Sequence, residues 1–152
     1  MTPRLDFRIL GSLEVWYGGE RLALGGRKQR ALLAILLLNP NEVVSADRLI
    51  DALWGASPPE TAATALHGYV SQLRKLLEPQ RQARASPSVL VTEEPGYVLR
   101  TEPDQIDVER FMILLASARN ALAAGDALAA ERSLRDALAL WRGAPLADLE
   151  NE

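Results

Sequence analysis

Between residues 7 and 24 the apolar side chains Phe7, Ile9, Leu13, Val15, Leu22 and Leu24 fall at mostly alternating positions. Alternation puts them on one face of an extended chain. Gly11-Ser12 and Gly18-Gly19 interrupt the run, and a Gly-Gly pair supplies the positive φ that a tight hairpin demands. The pattern therefore predicts a small antiparallel sheet over residues 7–24. Gly25-Gly26 breaks it. Residues 27–38 predict a helix that is apolar nearly all round after its first turn, which suits the middle of a core. Asn39-Pro40-Asn41 stops that helix. Val43-Val44 has room only for a bridging strand. Ser45 is a good N-cap and Asp47 lies in the turn after it, so a helix is expected over 46–54, with Leu49, Ile50 and Leu53 as its apolar stripe. Gly55 ends it, and Ser57-Pro58-Pro59 makes a stiff turn. A longer helix is expected over 60–78, because Leu66, Val70, Leu73 and Leu77 recur at helical spacing. Pro79 closes it.

Residues 80–88 are polar and read as a mobile loop. Two strands follow, 89–92 and 97–100, joined by Glu93-Glu94-Pro95-Gly96 as a hairpin. Residues 101–106 read as a linker. Beyond them lie two amphipathic, alanine-rich helices over 107–123 and 126–141, divided by Gly125-Asp126, which form a helical hairpin. One such hairpin buries little surface by itself, so this segment reads as the opening of a longer protein. The order of strands, three helices and a β-hairpin is that of an α+β winged helix-turn-helix over residues 1–100, followed by an all-α segment over 101–152.

Charge refines this division. The whole chain carries a net charge of −3, but residues 1–100 hold 12 Lys/Arg against 10 Asp/Glu, and residues 101–152 hold 5 Arg against 10 Asp/Glu. The front part is weakly basic and the back part acidic, and nucleic-acid binding depends on the potential of one face more than on the sum. There is no cysteine, so a disulfide framework and a thiolate metal site are excluded. No signal-peptide pattern opens the chain, and the apolar run Ala31–Leu38 is too short to span a bilayer. A cytoplasmic, nucleoid-associated protein without membrane attachment is expected.

The third helix carries the candidate chemistry. With its leucines turned inward, the opposite face presents Thr61, Thr64, His67, Gly68, Ser71, Gln72 and Lys75, with Arg74 beside them. Short hydrogen-bonding groups followed by cations suit base edges and phosphates in a major groove, which is wide enough to admit a helix. Gly68 costs about 1 kcal/mol of helix propensity relative to Ala and would allow a close backbone approach. Arg27 and Lys28 open the first helix. They read either as a solvated basic turn or as a phosphate-facing site at a helix N-terminus. Trp54 reads as a plug after the second helix more readily than as a DNA contact.

Five stretches then identify a family. They are Phe7-Arg8-Ile9-Leu10-Gly11-Ser12-Leu13, Arg27-Lys28-Gln29-Arg30-Ala31-Leu32-Leu33-Ala34, Leu49-Ile50-Asp51-Ala52-Leu53-Trp54-Gly55, Tyr69-Val70-Ser71-Gln72-Leu73-Arg74-Lys75-Leu76-Leu77 and Pro95-Gly96-Tyr97-Val98-Leu99. In this order they resemble the OmpR-type winged helix of the Streptomyces antibiotic regulatory protein family. Residues 107–150, closing on Leu140-Trp141-Arg142-Gly143-Ala144-Pro145-Leu146-Ala147-Asp148-Leu149, resemble the start of that family's bacterial transcriptional activation domain, a tetratricopeptide-like helical array. The resemblance implies an activator of biosynthetic gene clusters, often for antibiotics. Such proteins bind tandem direct repeats in double-stranded DNA as head-to-tail dimers and recruit RNA polymerase. Carried over by position, it implies that Thr64, His67, Ser71 and Gln72 face bases or nearby phosphates. Tyr69, Arg74 and Tyr97 would then contact the phosphate backbone.

One departure stands out. Family members often carry Arg before the Pro-Gly-Tyr of the wing, where this chain has Thr92-Glu93-Glu94-Pro95. A carboxylate near phosphates is repulsive, so the wing is expected to contribute little unless Arg81, Arg84 or Arg100 supplies the missing charge. A rival reading is a protein-interaction scaffold that does not read DNA. Catalysis finds no support: the Gly pairs lack phosphate-loop spacing, no Ser/His/Asp order or carboxylate cluster stands out, and the single His67 lacks partner ligands for a metal. No cofactor is implied, and with six residues before Phe7 no phosphorylated receiver domain is expected ahead of the winged helix.

Overall fold

The computed structural model describes residues 4–149. The chain divides into two compact units, one made of residues 1–19 with 102–152 and the other of residues 20–101. The partition differs from the expected break at residue 100. The first two strands cluster with the C-terminal helices, and the reason lies in hydrogen bonds nearly a hundred residues apart in sequence.

In the first unit, β1 (Leu5–Arg8) and β2 (Glu14–Tyr17) pair antiparallel, with Leu5 opposite Tyr17 and Phe7 opposite Val15. Strand pairing thus begins at Leu5, two residues before the alternating pattern suggests. Phe7 also bridges in parallel to Ile106, and both are fully buried. The two helices after the linker, Asp107–Ala123 and Ala127–Ala139, form the expected hairpin. Asp126 caps the second of them, its carboxylate accepting from the Ala129 amide at 3.0 Å. Small Ala118, Ala130 and Ala137 are buried at their seam, which lets the backbones approach closely.

Asp107, at the first position of the earlier helix, is only 1% exposed and accepts from the amides of Ile9 and Leu10, both at 2.9 Å. The closing segment returns to the same turn. The Arg142 amide donates to Leu10 O at 2.8 Å and the Leu146 amide to Ile9 O at 3.0 Å, while the Leu13 amide donates to Asp148 Oδ1 at 2.9 Å. Arg142 also reaches Glu14 and Ser12 O, each at 2.7 Å. Trp141 packs edge-on against Phe111 with ring centroids 5.5 Å apart. The phrase 140–149 is thus a clasp on residues 9–14.

The second unit opens with β3 (Glu20–Arg21) and is built around α1 (Arg27–Leu38), whose Leu32, Leu33, Leu36 and Leu37 are buried, as an all-round apolar helix requires. Gln29 is buried too, and its amide nitrogen donates to Leu24 O at 2.8 Å, which satisfies it. The bridging strand β4 is Val44–Ser45. Ser45 caps α2 (Ala46–Trp54), with its hydroxyl accepting from the Arg48 amide at 3.1 Å, and Gly55 ends that helix at φ 70°. The third helix, α3, runs Ala62–Leu77, two residues shorter at its start than the spacing predicts, because the Pro58-Pro59 turn closes on the Ala62 amide. The wing strands are β5 (Leu90–Glu93) and β6 (Gly96–Leu99), so the turn shortens to Glu94-Pro95 with a cis peptide bond. The sheet order is β4-β6-β5, antiparallel throughout.

Gly96 explains why β4 can lie so close to β6. A Cβ there would stand 1.9 Å from Val44 O and 2.7 Å from Ser45 Cα, both backbone atoms that cannot yield cheaply. Gly96→Ala is therefore expected to cost about 2 kcal/mol or more of stability, as overpacking against backbone does. Urea unfolding followed by circular dichroism measures it.

Candidate nucleic-acid interface

Helix α3 divides cleanly. Leu66, Val70, Leu73 and Leu77 are buried, each at 2% exposure or less, and α3 packs on α1, α2 and β5. The other face leaves Thr64, His67, Gly68, Ser71, Gln72 and Lys75 exposed. These positions recur at helical spacing and make one continuous stripe. A Cβ at Gly68 would meet nothing within 4 Å, so no packing demand inside the chain explains a glycine there. All four residues expected to face bases therefore share one accessible surface, with Lys75 at its C-terminal end.

The residues expected to face phosphates divide into two groups. Arg27 and Lys75 are exposed. Lys28 is half-buried: its ammonium donates to Leu53 O at 3.0 Å and sits 5.5 Å from the Trp54 ring centroid. Trp54 in turn stacks on Tyr69 at 6.3 Å and 21° between planes. This Lys28-Trp54-Tyr69 ladder joins the start of α1, the end of α2 and the middle of α3. Trp54 is accordingly the interhelical plug that the sequence favours.

Arg74 is also half-buried. Its Nε donates to Leu90 O at 2.9 Å and its Nη2 to Thr92 Oγ1 at 2.6 Å, and its Cζ lies 5.9 Å from the Tyr97 ring centroid. Burial pulls the Arg74 pKa down, only partly offset by Tyr97. Burial pushes the Tyr97 phenol up, against the pull of the Arg74 charge. Tyr97 is buried, so most of its ring belongs to the wing's packing.

At the wing tip Glu93 and Glu94 are exposed, and Arg100 pairs with Glu93 at 3.1 Å. Arg81 is engaged with Glu78 at 3.5 Å and with Ala85 O at 2.6 Å. Of the three candidate compensating cations, Arg100 is thus the one paired with a wing carboxylate, and it faces Glu93 alone. Arg48, which is not among the sequence-based candidates, is exposed in the first turn of α2. The signal that could find it is a basic residue on the polar side of the helix that precedes α3.

Three helices with a β-hairpin wing, and a third helix whose polar face is free, define a winged helix-turn-helix. Comparison with known proteins agrees. Residues 19–99 match the family model described as transcriptional regulatory protein, C terminal, and residues 106–152 match the bacterial transcriptional activator domain. The chain belongs to this family of OmpR-type transcriptional regulators and carries both domains, as do Streptomyces antibiotic regulatory proteins.

The regulatory protein AfsR of Streptomyces coelicolor is 44% identical over 144 residues, which cover 94% of this chain and 14% of AfsR. Regulatory protein DnrI of Streptomyces peucetius is 32% identical over 95% of this chain and 54% of its own length. The structure of Mycobacterium tuberculosis EmbR in complex with a low-affinity phosphopeptide superposes with a TM-score of 0.91 at 42% identity, covering 98% of this chain and 39% of that one. The chain therefore spans about half or less of the length of these relatives. Among the described residues no helix is long and apolar enough to cross a membrane.

Proposed function

We propose that this chain is a sequence-specific DNA-binding regulator that activates a secondary-metabolite gene cluster. In this reading α3 lies in the major groove. Thr64, His67, Ser71 and Gln72 meet base edges or nearby phosphates, and Arg27, Arg48 and Lys75 meet phosphates. Phosphate contacts fix register and base contacts give specificity. The observation that carries the reading is the unobstructed polar stripe of α3, set against a fully spent apolar face. The unit of residues 20–101 carries the DNA-binding winged helix, and residues 102–152, which cluster with residues 1–19, contribute to a helical activation domain. The protein works in the cytoplasm on the nucleoid, binds promoter direct repeats as a homodimer and recruits RNA polymerase.

Gel shifts on duplexes from the neighbouring genes, with and without spaced direct repeats, test this. Retardation of the repeat-bearing duplex, weakening steeply with salt, is expected. Equal retardation of every duplex removes the sequence-specific reading. No retardation of any favours the scaffold role instead.

The wing adds little to binding, because its Glu94 is exposed and its Glu93 already consumes the Arg100 charge. Glu93→Arg removes one carboxylate and releases one guanidinium. Affinity is expected to rise about three- to tenfold at low salt, with a steeper salt dependence. The fold should hardly notice, since an exposed ion pair contributes about 0–1 kcal/mol. Titration by fluorescence anisotropy at several salt concentrations reads both quantities, and a variant unchanged in both refutes the assignment.

A further inference from the structure

We propose that Arg74 is a positioning residue that ties the recognition helix to the wing, and that it does not serve as a phosphate contact. The proposal rests on the DNA-reading role of α3. Arg74 lies in the last turn of α3, yet two of its guanidinium N–H groups are committed to the hairpin. Nε donates to Leu90 O and Nη2 to Thr92 Oγ1, two positions apart on β5. Thr92 stands opposite Tyr97 in the wing register, and the Tyr97 ring lies beside the same guanidinium. One side chain thus grips both strands of the wing.

The guanidinium is a planar, rigid fork. Aimed at these two acceptors, it cannot swing to a phosphate without giving up both charge-assisted hydrogen bonds. Lys75, the next residue, is exposed on the polar stripe and takes that role without any such loss. The tether matters because helix and wing must meet the duplex together. A wing free to move against α3 would have to be ordered at the moment of binding, which lowers affinity without removing any contact to DNA.

The two roles leave different signatures. A lost phosphate contact lowers the salt slope by about one, and lysine, which keeps the charge, would largely restore it. A lost tether leaves the slope unchanged, and lysine fails because it cannot span two acceptors in fixed directions. The experiment compares Arg74→Lys, Arg74→Ala and Thr92→Val by duplex titration across a salt series, and by amide hydrogen exchange of the free proteins.

Arg74→Lys and Arg74→Ala are both expected to weaken binding about tenfold with an unchanged slope, and to speed exchange in β5 and β6. Thr92→Val, which takes away one acceptor and keeps the shape, is expected to show the same signature at about threefold. Wild-type-like binding by Arg74→Lys, together with a reduced slope in Arg74→Ala, overturns the proposal. If the wild type binds no duplex, the DNA reading itself falls. The exchange data then decide the tether alone, and unaltered exchange in Arg74→Ala overturns it.

Discussion

Replacing Thr64 and Gln72 together with alanine is expected to remove about 2 to 6 kcal/mol of specific DNA affinity while leaving the fold intact. Each side chain is exposed on the polar stripe of α3 and neither belongs to the core. Exposed substitutions of this kind usually stay within about 0.5 kcal/mol for stability. Loss of one good base contact costs about 1–3 kcal/mol of discrimination. The two positions lie eight residues apart, about 12 Å along the helix, so their effects should nearly add. Anisotropy titrations on a specific duplex and a scrambled one separate the cases. Specific affinity should collapse toward the non-specific value, which itself should not change. Lys75→Ala should instead weaken both duplexes alike and flatten the salt dependence. A double alanine variant that still distinguishes the two duplexes as the wild type does would move base reading to another surface.

The second large effect lies in the other unit. Asp107→Ala is expected to destabilise the unit of residues 1–19 with 102–152 by about 2 to 6 kcal/mol. Its buried carboxylate satisfies two backbone amides, those of Ile9 and Leu10. Removing it leaves two buried donors without acceptors, at about 1–3 kcal/mol each. Asp107→Asn should be nearly as damaging, because its amide nitrogen would face one of the same N–H groups and cannot accept from it. Hydrogen exchange resolves the effect by residue. The Ile9 and Leu10 amides should lose protection in either variant, while amides in α1 and α3 keep theirs. Retained protection at Ile9 and Leu10 would show that Asp107 does not hold this turn.

Helices α1 and α2 are legible in the sequence nearly to the residue, because local signals bound them: Gly26 and Asn39 around α1, Ser45 and Gly55 around α2. The inward and outward faces of α3 follow from the spacing of Leu66, Val70, Leu73 and Leu77 alone. The wing strands shift by a residue, because the turn tightens to Glu94-Pro95 and Gly96 joins the strand against β4.

Three features escape the sequence because their partners are distant and mostly backbone. Lys28 reads either as part of a solvated basic turn or as a phosphate-facing cation, yet Leu53 O and the Trp54 ring hold it. Arg74 reads as a phosphate-facing cation, yet β5 holds it through Leu90 O and Thr92. No residue type near Asp107 announces that its acceptors serve Ile9 and Leu10. For that reason the grouping of the first strands with the last helices cannot be foreseen. A carbonyl oxygen carries no mark in the sequence, so a cation committed to one looks the same as a cation awaiting a phosphate.

If α3 reads bases through its exposed stripe, selection from a randomised duplex library will show it whatever the operator sequence is. The wild-type chain should enrich one motif, and Gln72→Ala should relax the preference at one position of that motif while Lys75→Ala leaves every position intact. An identical motif from the wild type and Gln72→Ala, or no motif from either, would contradict the account.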